Sequence, residues 1–445
     1  MNPLSGIILT ALVVGVFTMP RRWAAVCAMS GALLLTQSQS LELVGFTLFP
    51  TRILAYAAFV RVVIRREFSR SLLTQVDWAL IWLYLFTLAV LLTRPEESAP
   101  LRIAKTLDIL LGYLAFRSLI VEPGDLRWLL GILAVGLIPY VSVLAVESFT
   151  QRNLFEVLGA STSKWLREGR VRCFGSFRHP SLLGSLGATF FPLFIALAFD
   201  REQRKRAILG ALLCTAVVGF SNSGGPLSTW VTGVAGWCLW PLRHRMRAFR
   251  WSLVCGMAVL AVVMKAPIWY LLTRVSSVTG GSGWHRSYLI DVAVQHLDKW
   301  WFAGMPVAET RDWFPYVIDS TGGADITNQF IWFGLSAGLL GIALFVLFLY
   351  RSYSYLGVAL RSIRDQKSAG VLDERLMWGL GVMLAVHISN WLGITYFDQF
   401  SIIWLLQAAA LCSVSRYWSL KAAEGADEEA SDAQFAEPAH SRYAI

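Results

Sequence analysis

The chain has 445 residues, of which 56% are hydrophobic and only 15% are charged. Because soluble domains have about 25% charged residues, this composition excludes an ordinary soluble protein and indicates a polytopic membrane protein. The net charge of +10 does not indicate nucleic-acid binding, because most of the surplus Lys and Arg lies in short segments between apolar runs, as membrane topology requires. The six cysteines are scattered without a CxxC motif, so a disulfide framework or a cysteine-ligated metal site is not expected.

Continuous apolar runs occur along the whole chain and predict membrane-spanning helices rather than the alternating strands of a barrel. Their approximate positions are 6–19, 23–36, 47–64, 77–93, 101–121, 128–148, 180–199, 207–223, 226–241, 251–272, 328–350, 375–394 and 400–416. The first two are short for a span of about 20 residues. We therefore expect an all-α transmembrane helix bundle of 12 or 13 spans over residues 1–416. The first apolar run precedes its Arg pair, unlike a signal peptide, and predicts a retained span.

The connecting segments differ in charge, and this difference assigns them to two sides of the membrane. Segments dense in Lys and Arg are expected in the cytoplasm: 61–70, 200–206, 243–250 and 361–367. Alternation then places five segments outside: 94–100, 149–179, 221–226, 273–327 and 395–399. The acidic C-terminal tail, residues 417–445, is expected to be disordered and cytoplasmic because it is rich in small and charged residues.

Two of the outer loops, 149–179 and 273–327, are much longer than ordinary connections, and loops of that length are usually functional or disordered. The second loop contains "GWHRSYLIDVAVQHLDKWWFAGM". Its apolar residues recur at helical spacing and predict an amphipathic helix, lying on the membrane or across the outer face of the protein. Those residues are Leu289, Val292, Ala293, Leu297, Trp300 and Trp301.

Three arginines occur in these outer loops, against the usual bias of basic residues toward the cytoplasm. Arg172 and Arg178 precede a span, and Arg286 lies in the first turn of the predicted amphipathic helix. The guanidinium fork suits phosphate, so we expect a phosphate or pyrophosphate at the outer side. Lipid-headgroup anchoring and internal salt bridges remain alternatives.

Polar residues accompany the arginines at each of these places. His179 follows Arg178, His285 precedes Arg286, and Ser223 lies in the tight turn "SNSGGPLSTW", whose backbone N–H groups suit an anion. Close helical packing explains that turn equally well. Asp325, Thr327 and Asn328 precede another span and are expected to cap it.

Four segments over about residues 165–350 resemble, in order, motifs of the O-antigen ligase and O-antigen polymerase (Wzy-like) superfamily of bacterial polysaccharide enzymes. "VRCFGSFRHPSLLGSLGA" is similar to the family's Arg-x-x-Gly-x-Phe…Pro segment. "SNSGGPL" is similar to its Ser-rich hairpin, although the family often has Arg in place of Gly224. "HRSYLIDVAVQHLDKWWFAGM" resembles the segment that starts with an essential Arg, and "DITNQFIWFGLSAGLLG" resembles a span that begins with Asn.

The resemblance implies a GT-C-like glycosyltransferase of the bacterial inner membrane, with its active site facing the periplasm. Its donor would be an undecaprenyl-pyrophosphate-linked glycan, and its surroundings would include membrane lipids, a chain-length regulator and export machinery. No metal, cofactor or nucleic acid is implied. By match, Arg172 and Arg286 carry the family's two arginine roles, stabilising the departing pyrophosphate. The predicted substrate-binding residues are Arg178, His179, Ser223, His285 and Asn328.

One departure from the family favours a polymerase of repeat units over a ligase that transfers the glycan to another acceptor. Ligases typically have His immediately before the matched Asn, where this chain has Thr327, and threonine is no general base near neutral pH. The substitute base is Asp325, His285 or Glu309; we take Asp325, the nearest carboxylate, as the third catalytic residue. A transporter of lipid-linked glycans is the alternative from another class. Transporters commonly show internal repeats, and this sequence shows no clear one.

Overall fold

A computed structural model describes residues 1–43, 46–94, 98–279, 283–314, 322–366 and 370–436. Its α-helices are α1 (Pro3–Thr18), α2 (Arg21–Leu34), α3 (Pro50–Ile64), α4 (Gln75–Leu92), α5 (Ala99–Leu119), α6 (Pro123–Thr150), α7 (Pro180–Leu197), α8 (Arg204–Ser221), α9 (Gly224–Cys238), α10 (Met246–Val263), α11 (Leu271–Thr279), α12 (Gly283–Gln295), α13 (Leu297–Trp300), α14 (Gln329–Asp365), α15 (Val371–Trp391) and α16 (Asp398–Ala436). Two small antiparallel hairpins pair β1 (Leu41–Leu43) with β2 (Phe46–Leu48), and β3 (Leu166–Arg167) with β4 (Arg170–Val171). Residues 280–282 and 315–321 of the predicted outer loop lie outside the described residues.

The helices confirm the predicted all-α class. Each of the thirteen predicted apolar segments overlaps a helix, although α10 ends at Val263, within the predicted segment 251–272. Six helical segments in the described part of the chain are long and apolar enough to cross a membrane, which is typical of a membrane-embedded protein. These are Gln75–Leu92, Pro123–Thr150, Pro180–Leu197, Trp240–Val263, Gln329–Asp365 and Asp398–Glu424.

The tail differs from its prediction. Helix α16 continues through residues 417–436 and ends at Ala436, so the backbone of that part is helical rather than irregular. The segment is rich in Ala and Glu, which are strong helix formers, and it extends a helix that already exists. Residues 437–445 lie outside the described residues, and the cytoplasmic position of the tail stays a prediction.

Helix α7 lies at the centre of the fold and packs against α8, α9 and α15. Glycines let its neighbours approach closely, as small residues do in membrane helices. A Cβ atom added at Gly187 would lie 2.3 Å from the carbonyl oxygen of Cys214 in α8. At Gly184 an added Cβ would lie 2.6 Å from the Cβ of Pro226 in α9. This packing brings the first turns of α7 and α9 together.

Contacts between connecting segments fall into two groups, one at each end of the bundle. At one end, which we call the site end, Arg178 pairs with Asp398, and Asn153 Nδ2 donates to the carbonyl of Gly175. At the other end, Arg127 pairs with Asp373. Each group joins segments that the charge pattern assigns to the same side, with Arg178, Asp398 and Asn153 in segments expected outside.

The predicted amphipathic helix forms as two helices, α12 and α13, which are separated at His296. Its apolar face packs on the protein: Leu289, Val292 and Trp300 belong to a buried cluster. Trp301 departs from the prediction, because its side chain is 52% exposed. The carbonyl of Trp301 accepts a hydrogen bond from Leu339 N at 2.7 Å, which fixes the outer loop against α14.

That contact lies at a break in α14, where Ala337 and Gly338 have non-helical backbone angles. Met305 N donates to the carbonyl of Leu335 at 2.9 Å, and Arg94 donates to the same carbonyl. Backbone groups freed by the break are therefore bonded by the outer loop and by Arg94. The break fixes the outer loop relative to Asn328, the cap residue of α14.

Candidate functional site

Arg172 is held by the hairpin of β3 and β4. Glu168 and Gly169 form its two-residue turn, both with positive φ, as the tightest hairpin turns require. Beyond the ladder, Arg172 N donates to the carbonyl of Trp165 at 2.8 Å. The side chain then reaches α9, where Arg172 Nη2 donates to Ser223 Oγ at 2.6 Å. Arg172 Nε is buried without a hydrogen-bond partner among the described residues, so the guanidinium retains donor capacity.

Ser223 and His179 mark the starts of two helices that meet at this point. Ser223 is the N-cap of α9, and its hydroxyl lies 2.9 Å from Ser181 Oγ in the first turn of α7. His179 is the N-cap of α7, where its Nδ1 accepts from Ser181 N at 3.1 Å. Helix N-termini carry partial positive charge and free N–H groups. The pair of helix starts therefore favours an anion.

His179 is poorly able to add its own charge to this place. Burial, reinforced by the neighbouring Arg172, lowers the pKa of His179 to about 4. The imidazole is therefore neutral at physiological pH. Since Nδ1 accepts from the backbone, Nε2 carries the proton of the neutral ring and is a neutral donor.

Arg286 approaches the same helix start from the other long loop. The side chain comes from the first turn of α12 and lies between the start of α9 and the end of α15. An added Cβ would lie 2.7 Å from its Nη2 at Gly225, and 2.7 Å from its Nε at Gly393. Two glycines thus form the walls of the space that the guanidinium occupies, and any side chain there would displace it.

The charge of this cluster is unbalanced. Within the described residues, Arg286 has no hydrogen-bond or ion-pair partner, and Arg172 has a neutral hydroxyl as its partner. The pKa of Arg172 and that of Arg286 are both lowered, mainly because the side chains are buried and to a smaller extent because Arg167 repels them. Even so, guanidinium stays protonated at neutral pH. Arg172 and Arg286, neither of them paired with a carboxylate in the described residues, are chemically suited to a phosphate-like anion.

His285 precedes Arg286 in α12, and Asp325 lies beside His285. The His285 ring stacks on Phe314 with centroids 4.4 Å apart, and it bonds the backbone of Asp325. Its Nε2 is buried without a partner in the described residues, so Nδ1 makes that bond. Burial lowers the pKa of His285 although Asp325 opposes the shift. The Asp325 side chain is exposed.

Arg178 and Asn328 have structural partners. Arg178 forms a two-pronged salt bridge with Asp398 at the start of α16, with Nη2 and Oδ1 2.6 Å apart. Asn328 caps α14, accepting from Phe330 N at 2.9 Å. Capping was predicted for Asn328 and is confirmed. For Thr327 it was wrong, because its hydroxyl is buried without a partner in the described part of the chain. Substrate binding by Arg178 and Asn328 stays a prediction.

Comparison with protein-family models and with curated proteins finds no match to this chain. The resemblance described above therefore rests on the motif residues alone. In the ranges that the structure describes, no three His, Cys, Asp or Glu side chains are grouped so as to hold a metal ion.

Sequence reasoning identified the arginines but missed the residues that shape their surroundings. Ser181 bonds Ser223, Arg167 repels both site arginines, and Gly393 forms a wall against Arg286. Gly393 is more than a hundred residues from Arg286 in the chain, so no local pattern reveals their contact. The arginine charge and the backbone N–H donors suit the site to an anion. The neutral imidazole of His179 lies beside it.

Proposed function

We propose that this protein is a membrane glycosyltransferase that polymerises undecaprenyl-pyrophosphate-linked oligosaccharide repeat units into a surface or exo-polysaccharide. The observation that carries the proposal is the convergence of Arg172 and Arg286 on the start of α9. Neither has a carboxylate partner in the described residues. A site of this kind suits an anionic leaving group at the surface of a membrane protein.

In the proposed reaction, a hydroxyl of the acceptor glycan attacks the anomeric carbon of the donor. A new C–O bond forms, and the bond from that carbon to the pyrophosphate oxygen breaks. The electron pair stays with the pyrophosphate, which leaves on its lipid. Arg172 and Arg286 stabilise the negative charge that grows on this group, and they are already positioned before the reaction. The N–H groups at the start of α9 stabilise the same negative charge.

The proton of the attacking hydroxyl needs an acceptor. We assign this role to Asp325, whose exposed carboxylate lies beside His285. His285 is the second candidate, because its unpaired Nε2 is an acceptor once Nδ1 is bonded to the Asp325 backbone. The polymerase is preferred to the ligase because Thr327 stands where ligases have His.

The membrane arrangement belongs to the same proposal. We infer a GT-C-like bundle of 12 or 13 spans in the bacterial inner membrane, with the site end facing the periplasm. Loop charge supports this orientation, because the segments dense in Lys and Arg belong to the opposite end. Membrane lipids surround the bundle, and a chain-length regulator and export machinery are the expected protein partners.

The glycan profile of a deletion strain of the source bacterium tests the proposal. Loss of a polymerase leaves single lipid-linked repeat units, loss of a ligase leaves free polymer on the carrier, and loss of a transporter leaves units on the cytoplasmic side. Plasmid-borne wild-type protein should restore the polymer. Arg172→Ala and Arg286→Ala should not, despite normal protein levels.

The exposed arginines Arg152 and Arg311, in the same two loops, supply matched controls. Arg152→Ala and Arg311→Ala remove equal charge outside the site and should restore the polymer fully. Polymer formation by either site variant would remove that arginine from the mechanism. An unchanged profile in the deletion strain would exclude the proposed function.

A further inference from the structure

His387 is an ionisable residue that the proposed reaction does not use. It lies in α15, one turn before that helix ends at Trp391, and its side chain is fully buried. An ionisable side chain inside a membrane bundle is costly and usually has a function. The contacts of the ring decide whether that function is exerted on a substrate or on the fold.

Both nitrogens of the His387 imidazole are hydrogen-bonded. Nε2 lies 2.7 Å from Gln407 Oε1 in α16, and Nδ1 lies 2.7 Å from the Tyr396 hydroxyl. Gln407 Nε2 donates to Thr189 Oγ1, whose own proton goes to the carbonyl of Ser185, so the amide oxygen of Gln407 accepts the proton of Nε2. Charge is unfavourable at this depth, and in the neutral ring Nδ1 then accepts the proton of Tyr396.

Aromatic side chains enclose the ring. Trp391 stacks on it with centroids 5.5 Å apart, and Trp404 meets it in a T-shaped contact at 4.6 Å. Because both nitrogens are already bonded, the neutral ring offers no free lone pair to a substrate hydroxyl. His387 therefore acts on the groups that it bonds.

Tyr396 belongs to the turn between α15 and α16, residues 392–397, which we call the α15–α16 turn. Its hydroxyl also accepts from Asn390 Nδ2 at 3.1 Å, and its backbone N donates to Gln329 Oε1 at 3.0 Å. Asn390 Nδ2 donates in turn to Ser185 Oγ in α7 at 2.7 Å. The network thus joins the turn to α7, α14 and α16, and a satisfied buried network of this kind fixes one arrangement of its elements.

The α15–α16 turn also bounds two parts of the candidate site. Gly393 forms a wall against the Arg286 guanidinium. Thr395 Oγ1 donates to the carbonyl of Ile326 at 2.6 Å, directly after Asp325 in the chain. A shift of the turn would therefore move the wall of Arg286 and the segment that contains Asp325 together.

We propose that His387 is a positioning residue, which through Tyr396 holds the α15–α16 turn in place. The turn in its place holds the Arg286 guanidinium and the segment that contains Asp325. Only the reaction that this placement serves rests on the proposed function, because the placement itself follows from the hydrogen bonds of the network. A small shift matters here, since misplacing a catalytic group by about 1 Å costs up to about 100-fold in rate.

Hydrogen–deuterium exchange of the full-length protein in nanodiscs tests whether the network holds the turn. Tyr396→Phe removes one oxygen atom and keeps the ring, whereas His387→Phe removes both hydrogen bonds of the imidazole. The backbone N–H groups of Gly393 and Ile394 are bonded within the fold, so their exchange reports opening of the turn. We expect exchange at 392–397 to be on the order of tenfold faster in both variants, because each leaves polar groups without partners.

His387→Gln and Tyr353→Phe are the matched controls. Glutamine again offers one donor and one acceptor, so His387→Gln should restore slow exchange; exchange as fast as in His387→Phe would contradict a role for the hydrogen bonds. Tyr353 donates to the carbonyl of Gly381, in the middle of α15, at 3.3 Å, and its loss should leave the turn unchanged. Wild-type exchange in Tyr396→Phe and His387→Phe, or equally fast exchange in Tyr353→Phe, would overturn the proposal.

Turnover then tests what the turn does for the site. In Tyr396→Phe we expect kcat per folded protein to fall about tenfold, and Tyr353→Phe should keep the wild-type value. An effect on stability alone would lower the amount of folded protein and leave its kcat unchanged. Gly393→Ala displaces the same guanidinium, so the double variant with Tyr396→Phe should lose less than the product of the two single losses.

Wild-type kcat in Tyr396→Phe, or losses that multiply in the double variant, would overturn the positioning role. Failure of the proposed function looks different. If the wild type turns over no lipid-linked repeat unit, the proposed function falls, and the exchange measurement by itself decides whether His387 holds the turn.

Discussion

Gly393 offers a way to displace Arg286 without removing its charge. The residue follows α15 and packs against the Arg286 guanidinium, so Gly393→Ala adds one methyl group to the wall of the site. The new Cβ would lie 2.7 Å from Nε, 2.8 Å from Cζ and 3.1 Å from Nη1. These atoms form the end of a flexible side chain, so they give way while the backbone stays in place.

The size of the displacement sets the expected loss. Ordinary contact begins at 3.4 Å, so the guanidinium has to retreat by about 0.7 Å. Misplacement of a catalytic group by about 1 Å costs up to about 100-fold in rate, and we expect a 10- to 100-fold lower kcat. This corresponds to about 1.4–2.7 kcal/mol in the activation free energy. Stability should hold, because Gly393 is not among the glycines with positive φ and Ala restricts the unfolded chain.

The assay is release of undecaprenyl pyrophosphate by protein in nanodiscs, with the midpoint of thermal unfolding measured in parallel. Gly381→Ala is the matched control, because Gly381 lies in α15, the helix that precedes Gly393, and an added Cβ there meets nothing within 4 Å. Gly225→Ala approaches Nη2 from the opposite wall and should give a similar loss. Wild-type kcat in Gly393→Ala would refute the placement of Arg286, as would an equal loss in Gly381→Ala.

Three other expectations concern the salt bridge, the base and the topology. Arg178→Ala should lower the free energy of unfolding by about 1 kcal/mol or less, because its pair with Asp398 is half exposed; no added loss in the double variant with Asp398→Ala would support pairing. Asp325→Asn should abolish turnover and keep donor binding. If activity survives and falls only as pH drops below about 6.5, the base is His285, whose pKa is lowered and which must be deprotonated to accept; retained activity with an unchanged profile in His285→Asn would exclude it. Reporter fusions after residues 160 and 300 should be periplasmic and those after 245 and 365 cytoplasmic; the reverse at either long loop would contradict the site assignment.

The helices were predictable because burial of apolar surface dominates this chain. Long apolar runs had no alternative to helix in a membrane, and basic segments marked their ends. Details that depend on single residues were not predictable. The strands around Glu168 and Gly169 have two residues each, too few for a pattern. The break in α14 at Gly338 frees backbone groups, and these are hydrogen-bonded by the outer loop, which lies more than thirty residues earlier in the chain. A prediction from neighbouring residues alone does not include those contacts.

The same distinction applies to the site. The sequence singled out Arg172 and Arg286 because charge in a predicted outer loop is unusual, and the structure brings both side chains to the start of α9. The partner of Arg178 was not predictable, because Asp398 is 220 residues away. The pair of Asp108 with Arg52 in α3 was not predictable from local spacing either, because the two residues are 56 apart in the chain. Local spacing identifies candidates, and tertiary packing selects among them.

The most direct test of the proposed activity uses purified protein with a defined undecaprenyl-pyrophosphate-linked repeat unit. Wild-type protein in nanodiscs should join two units on one carrier and release one undecaprenyl pyrophosphate for each new glycosidic bond. Arg286→Ala should do neither, and Arg311→Ala should do both. Release without chain growth, or no reaction in the wild type with any repeat unit that the source organism makes, would contradict the account.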